Sequence, residues 1–182
     1  MDELIDILDE NGNPTGRTLM KSEAHQNGLF HPTVHVWCYT ANGRILVQQR
    51  AGDKATHPLL WDVSVAGHVG AGEDILNSAI REVREEIGLK IRRQDLKKIG
   101  VFKSVHKHGA NLTDCEFHHT FLCELKVPLK SLKKQESEVA ALALVPLFHL
   151  AEETLGLVQP YKYVPHNIDY YKAVLEAIKK SM

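Results

Sequence analysis

The strongest periodic signal along the chain is helical. Leu76, Ile80, Val83 and Ile87 recur at i, i+4, i+7 and i+11, one apolar stripe that Gly88 closes as a C-cap. Glu82, Glu85 and Glu86 fall within an arc of about 100° centred well away from that stripe. Elsewhere, short apolar runs bounded by turn formers predict strands. Leu4–Leu8 and Thr15–Leu19 flank the turn-rich Asn11–Pro14, an N-terminal β-hairpin, and Lys21–Gln26 reads as a short helix ended by Asn27 and Gly28. Val34–Thr40 and Arg44–Arg50 are joined through Asn42-Gly43, a strong hairpin signal. Trp61–Val65, Leu96–Val105, Cys115–Leu125 and Val139–Val145 complete the strands. His106–Thr113 reads as a polar loop and Ser131–Glu138 as a charged, exposed connection. Pro146 opens a helix to about Leu155. A last helix, Asn167–Lys180, is expected to bury Ile168, Tyr171, Val174, Leu175 and Ile178. Strands alternating with a few helices indicate an α/β or α+β class. Residues 1–30 read as a hairpin and helix packed on a main domain of residues 31–182.

Composition narrows the function. The 182 residues are 43% hydrophobic and 25% charged, as in an ordinary globular domain. A net charge of −1 gives no reason to expect a nucleic acid polymer or a membrane as partner. Cys38, Cys115 and Cys123 fit no zinc spacing, and the acidic start resembles no signal peptide, so a cytoplasmic setting is expected.

The acidic helix is preceded by Gly67, Gly70 and Gly72, a loop that can expose backbone to a ligand. Glu82 and Glu86 are an i,i+4 like-charge pair, which Arg81 and Arg84 offset only in part. A hard divalent cation removes that repulsion; Mg²⁺ takes oxygen ligands and shares them with substrate phosphates.

The segment matches the fixed positions of the Nudix box, with Gly67, Glu73, Arg81, Glu82, Val83, Glu85, Glu86, Gly88 and Leu89 in place. The chain therefore resembles Nudix hydrolases. The resemblance implies an α/β/α sandwich with a mixed sheet, and hydrolysis of a nucleoside diphosphate linked to another group. It also implies Mg²⁺ or Mn²⁺ on Glu82, Glu85 and Glu86 with the Gly67 carbonyl as a further ligand, and Glu73 pairing with Arg81 to brace the loop. The general base stays open between Glu85 and Glu86 inside the box and Asp114, Glu116, Glu136 and Glu138 outside it.

Beyond the box, His31–Ala51 and Trp61–Val69 resemble the isopentenyl-diphosphate isomerase-like branch of the same superfamily. That branch carries a cysteine where this chain has Ala66, whose methyl group cannot transfer a proton. Its metal cluster is echoed by His31, His68, Asp114 and Glu116, a possible second metal site, with His25 one position away from a further ligand. Histidine with oxygen ligands suits Zn²⁺ or Mn²⁺. His106, His108, His118 and His119 are expected as surface or hydrogen-bonded residues, the last two on opposite faces of a strand. Trp61 is expected in the core, or stacked on a base; Arg50 at a phosphate, or at the surface. Three functions follow: a metal-dependent hydrolase of a small diphosphate, an allylic diphosphate isomerase, or a nucleotide sensor without turnover. A homodimer is compatible with each.

Overall fold

The computed structural model describes residues 2–109, 112–158 and 161–182. Its centre is a mixed seven-stranded sheet made by β3 (His31–Tyr39), β4 (Arg44–Arg50), β5 (Trp61–Asp62), β6 (Val65–His68), β7 (Leu96–Gly109), β8 (Leu112–Glu124) and β9 (Val139–Pro146). The order is β5-β4-β3-β8-β7, with β6 paired to β3 and β9 to β4; β3 and β8 run parallel and the other pairs antiparallel.

Strand β3 shows why two helical layers are needed. Val34, Val36 and Cys38 face one way and pack with Ala79, Val83 and Ile87 of α2 (Ile75–Ile87). Trp37 faces the other way, against Leu150 of α3 (Leu147–Thr154) and Tyr171, Val174 and Ile178 of α4 (Ile168–Ser181). A strand covered on both faces carries apolar residues at successive positions rather than alternating ones. The result is the expected α/β/α sandwich.

The N-terminal hairpin, β1 (Leu4–Leu8) with β2 (Pro14–Met20), is a separate two-stranded sheet followed by α1 (Lys21–Gln26). It packs on the glycine loop: the Ala71 N–H donates to the Leu4 carbonyl at 2.9 Å and the Gly72 N–H to Asp6 Oδ2 at 2.8 Å.

Three expectations are corrected. The polar stretch after Val105 is strand, not loop: His106 pairs with Asp114, Lys107 with Thr113 and Gly109 with Leu112. Ladder bonds use backbone groups, so polar side chains do not end a hairpin whose one face lines a cleft. Residues 110 and 111 of the expected loop lie outside the described residues. Second, the run from Trp61 divides into β5, paired with β4, and β6, paired with β3, so Gly67 is a strand residue. Third, Ile168 is 51% exposed while Tyr170 is buried, because α4 starts at Ile168 and its first residue lies outside the packed face.

Candidate functional site

Helix α2 is well fixed at both ends. The Asp74 side chain accepts from the Asn77 N–H at 3.0 Å, and Gly88 closes the helix at φ 68°. Its buried face comprises Ser78, Ala79, Glu82, Val83, Glu86 and Ile87. Two of the three glutamates belong to that face: Glu82 and Glu86 are 9% and 4% exposed, and only Glu85 stands half in solvent. The helix is rolled toward β6, away from the Leu76–Ile80 end of the apolar stripe. Gly67 permits this, since a Cβ at that position would overlap the Glu82 carboxyl carbon.

Gln48 Nε2 and the Ala66 N–H both donate to Glu86 Oε2, at 3.1 and 3.3 Å. They do not compensate its environment. Burial, and then the neighbouring Glu82, push the Glu86 carboxyl up to about 8. Burial also raises Glu82, although Arg81 Nη1 at 2.6 Å works against it. Arg81 is the hub of the loop. Its Nε and Nη2 donate to both Glu73 oxygens, at 3.1 and 2.9 Å, and Nη2 also reaches the His68 carbonyl at 3.0 Å. Its Nη1 lies 3.3 Å from Glu85. Glu73 in turn accepts from the Gly70 N–H, and the Arg81 bond holds its carboxyl below the ordinary range. The Glu73 bond raises the Arg81 guanidinium.

A second cluster lies beside this helix. One side-chain atom each from His25, His31, His68 and Glu116 lie within 4.8 Å of one another. His31 Nδ1 donates to the Leu29 carbonyl at 2.9 Å, which leaves the buried Nε2 as a lone pair without a hydrogen-bond partner, 3.5 Å from Glu116. Burial lowers His68 to about 3. Burial would raise Glu116, but His31, His118 and His68 outweigh it and hold that carboxyl well down. The expected foursome is thus altered. Asp114 is not in the cluster; it lies 2.7 Å from His25 Nδ1 and 2.8 Å from His108 Nε2, behind the His25 ring. His25 takes its place because α1, not sequence spacing, delivers it.

Both clusters open on one cleft of about 430 Å³, whose far wall is built of imidazoles. His35 stacks on His118 at 4.0 Å, and His166 meets both edge-on. Asp62 Oδ1 lies 2.8 Å from His166 Nε2. Burial would raise the Asp62 carboxyl, but His166 and Arg50 hold it down. Burial lowers His35 well below its usual value, and His118 to about 4, so both rings are neutral. Sequence reasoning missed His35, Asp62 and His166. They carry no shared spacing, and only the fold joins them.

Other expectations resolve by position. His106, His108 and His118 line the cleft, while His119 takes the opposite face of β8. Arg50 is on the cleft wall but tied to Thr56 and Asp62. Trp61 packs in the second core cluster, not on the cleft. Glu138 lines the cleft, ion-paired with Lys54, whereas Glu136 is exposed and paired with Lys134. Ala66 lines the cleft with a bare methyl group.

Residues 29–166 match the NUDIX domain model. The chain is 30% identical to an uncharacterized Nudix hydrolase of Clostridium acetobutylicum, over 97% of each protein. It is 34% identical to Nudix hydrolase 3 of Arabidopsis thaliana over 92% of this chain, which spans only 22% of that relative's length. It is 32% identical to an isopentenyl-diphosphate Delta-isomerase of Serratia proteamaculans, over 67% of this chain and 66% of that one. A solved structure from Deinococcus radiodurans superposes with a TM-score of 0.71 at 16% identity, covering 96% of this chain and 98% of its own. Among the described residues no helix is long and apolar enough to cross a membrane.

Proposed function

We propose, from the premise that this chain belongs to the Nudix family, that it is a metal-dependent pyrophosphohydrolase whose chemistry is centred on Glu82, Glu85 and Glu86. The carrying observation is the buried Glu82–Glu86 pair. Two carboxylates one turn apart, shielded from water and bonded by too few donors, are a poor structural device and a good cation site. The donor set of carboxylate oxygens, with the Gly67 carbonyl on the adjoining strand, suits Mg²⁺ or Mn²⁺.

A bound divalent ion supplies charge neutralisation at a phosphoanhydride and a lower pKa for coordinated water. The residues do the remainder. Glu85, exposed at the mouth, is placed to touch both solvent and substrate. Arg81, held by Glu73, fixes the strand end at His68 and the direction of Glu82. Glu73 and Arg81 are positioning residues in this reading. Glu138, which lines the cleft and acts on the Glu86 carboxyl, is favoured over the exposed Glu136 as a general base outside the box. The cluster of His25, His31, His68 and Glu116 is read as a second metal site for Zn²⁺ or Mn²⁺, so residues 1–30 contribute to the centre. The substrate is a small diphosphate; the three free cysteines accord with a reducing cytoplasmic setting.

That histidine cluster and the isomerase relative favour a second reading, isomerisation of an allylic diphosphate. Ala66 argues against it, having no proton to give. Two assays separate the readings. Release of phosphate-bearing products from a diphosphate panel, abolished by chelator and by Glu85→Gln, supports hydrolysis. Deuterium uptake from solvent into isopentenyl diphosphate, without hydrolysis, supports isomerisation and overturns the first reading.

A further inference from the structure

We propose that His57, His106 and His108 form a transition-metal site on the cleft, separate from the carboxylates of α2 and from the cluster around Glu116, and that this site takes Zn²⁺. The bound ion straps the connection between β4 and β5 to β7. The proposal goes beyond the hydrolase reading and stands whether or not the chain cleaves diphosphates.

The first observation is a chelating pair met by a third ring. His106 and His108 are two residues apart on β7, so their side chains point to one face, and both line the cleft. Their rings lie 6.2 Å apart and 23° from parallel. The His57 ring stands edge-on to both, 5.0 Å from His108 and 6.3 Å from His106. Three imidazoles that each place a nitrogen about 2.0–2.1 Å from one tetrahedral ion have ring centres about 5 Å apart. One separation already has that value. The other two must shrink by about 1 Å, which rotation about the soft outer torsion of histidine supplies.

The second is a carboxylate behind one of the rings. His108 Nε2 lies 2.8 Å from Asp114 Oδ2, so Nδ1 is the nitrogen left for an ion. A metal-ligating imidazole ordinarily has such a partner on its other nitrogen, which fixes the ring and raises its basicity. Asp114 is also the cross-strand partner of His106. Its other oxygen is 2.7 Å from His25 Nδ1, so one side chain backs a ring in each histidine cluster.

The third is the backbone that delivers His57. Among the described residues, His57 and Leu59 are the two non-glycine residues at positive φ, 47° and 62°. Such backbone persists only where its surroundings hold it, and it gathers at functional sites. Here Arg50 Nε donates to the Thr56 carbonyl at 3.0 Å and Nη2 to Thr56 Oγ1 at 3.1 Å, while Gln49 Nε2 donates to the Leu59 carbonyl at 2.9 Å. The segment so held belongs to β5, and β5 and β7 are the two ends of the path β5-β4-β3-β8-β7. An ion on all three rings therefore ties one end of that path to the other.

The donor set selects the ion. Imidazole nitrogens without a carboxylate oxygen suit Zn²⁺ and not Mg²⁺, and three protein ligands leave a fourth position open. Burial, and then His108, lower the His57 ring; burial, and then His166, lower His106. Both rings are neutral at pH 7 and bind without first losing a proton.

The test reads binding and needs no turnover. Zn²⁺ is titrated calorimetrically into the full chain carrying His31→Gln, which disarms the cluster around Glu116, with Mg²⁺ in excess to occupy the carboxylates. His68→Gln, at a less buried member of that cluster, is a second background that does not depend on the first one folding. One equivalent of Zn²⁺ is expected in either background. Adding Asp114→Asn, which keeps all three rings, is expected to weaken it by about 10–100-fold. Adding His57→Gln or His106→Gln in its place is expected to weaken it further still. Zn²⁺ should also raise the melting temperature of each background, and should no longer do so once His57→Gln is added. No Zn²⁺ bound in either background, or an affinity that His57→Gln and His106→Gln leave unchanged, overturns the proposal. Loss with His106→Gln but not with His57→Gln overturns the strap, because the ion would then sit on β7 without reaching the β4–β5 connection.

Discussion

The two walls of the cleft solve the problem of buried polarity in opposite ways. On the α2 wall, Glu82 and Glu86 keep like charges close together, with burial driving both carboxyls up. On the β3–β8 wall, His35 and His118 are neutral, and the hydroxyls of Tyr170 and Thr33 lie within hydrogen-bonding distance of their Nδ1 atoms. The first wall is unstable alone and asks for a cation. The second is content as a neutral surface and asks for hydrogen bonds. One cleft therefore sets an acidic wall beside a wall of neutral imidazoles.

The largest effect should come from breaking the acidic side alone. Glu85→Gln is expected to lower kcat on the order of 10²–10³-fold, the size seen when one charge-stabilising group is lost, with an unchanged circular dichroism spectrum. Proton competition comes next. Because Glu86 titrates at about 8, a metal ion must displace its proton below that pH. Mg²⁺ affinity, read by isothermal titration, should then rise by about tenfold per pH unit toward pH 8 and level off above it; Glu86→Gln should flatten the curve. The sign for stability is the reverse. A carboxyl raised in the fold binds its proton more tightly there than in the unfolded chain. Its contribution is whole below the unfolded value of 4.5 and is lost as pH climbs toward 8. The metal-free melting temperature should accordingly fall over that window, less so in Glu86→Gln.

Glu73→Gln tests the brace. Losing one half of the paired contact with Arg81 should cost about tenfold in activity or metal affinity, measured with the same panel. The smallest effect is steric. Gly67→Ala puts a methyl group into the Glu82 carboxylate, an overpacking cost of about 1–3 kcal/mol, read as a drop in melting temperature of roughly 3–10 °C.

The sequence made the acidic helix legible because every residue of it lies within one short segment, where spacing alone fixes direction. It did not show which side of that helix turns inward, since the roll depends on a missing side chain at Gly67 and on what β6 brings alongside. His25 was legible only as a near miss, because helix α1 rather than chain spacing sets its reach. The hairpin of β7 and β8 extends past its apolar run, since His106 and His108 have the polarity of loop residues but face the cleft. Asp62, His35 and His166 come from three distant parts of the chain, and no local pattern marks them.

The leading hairpin clasps the glycine loop through Leu4 and Asp6, and the helix behind it carries His25. The front segment, which also touches the loop before α2, thus contributes one of the three imidazoles gathered around Glu116. Relatives with identical acidic helices but different leaders would be expected to host different metals, and so to diverge in chemistry from the edge inward.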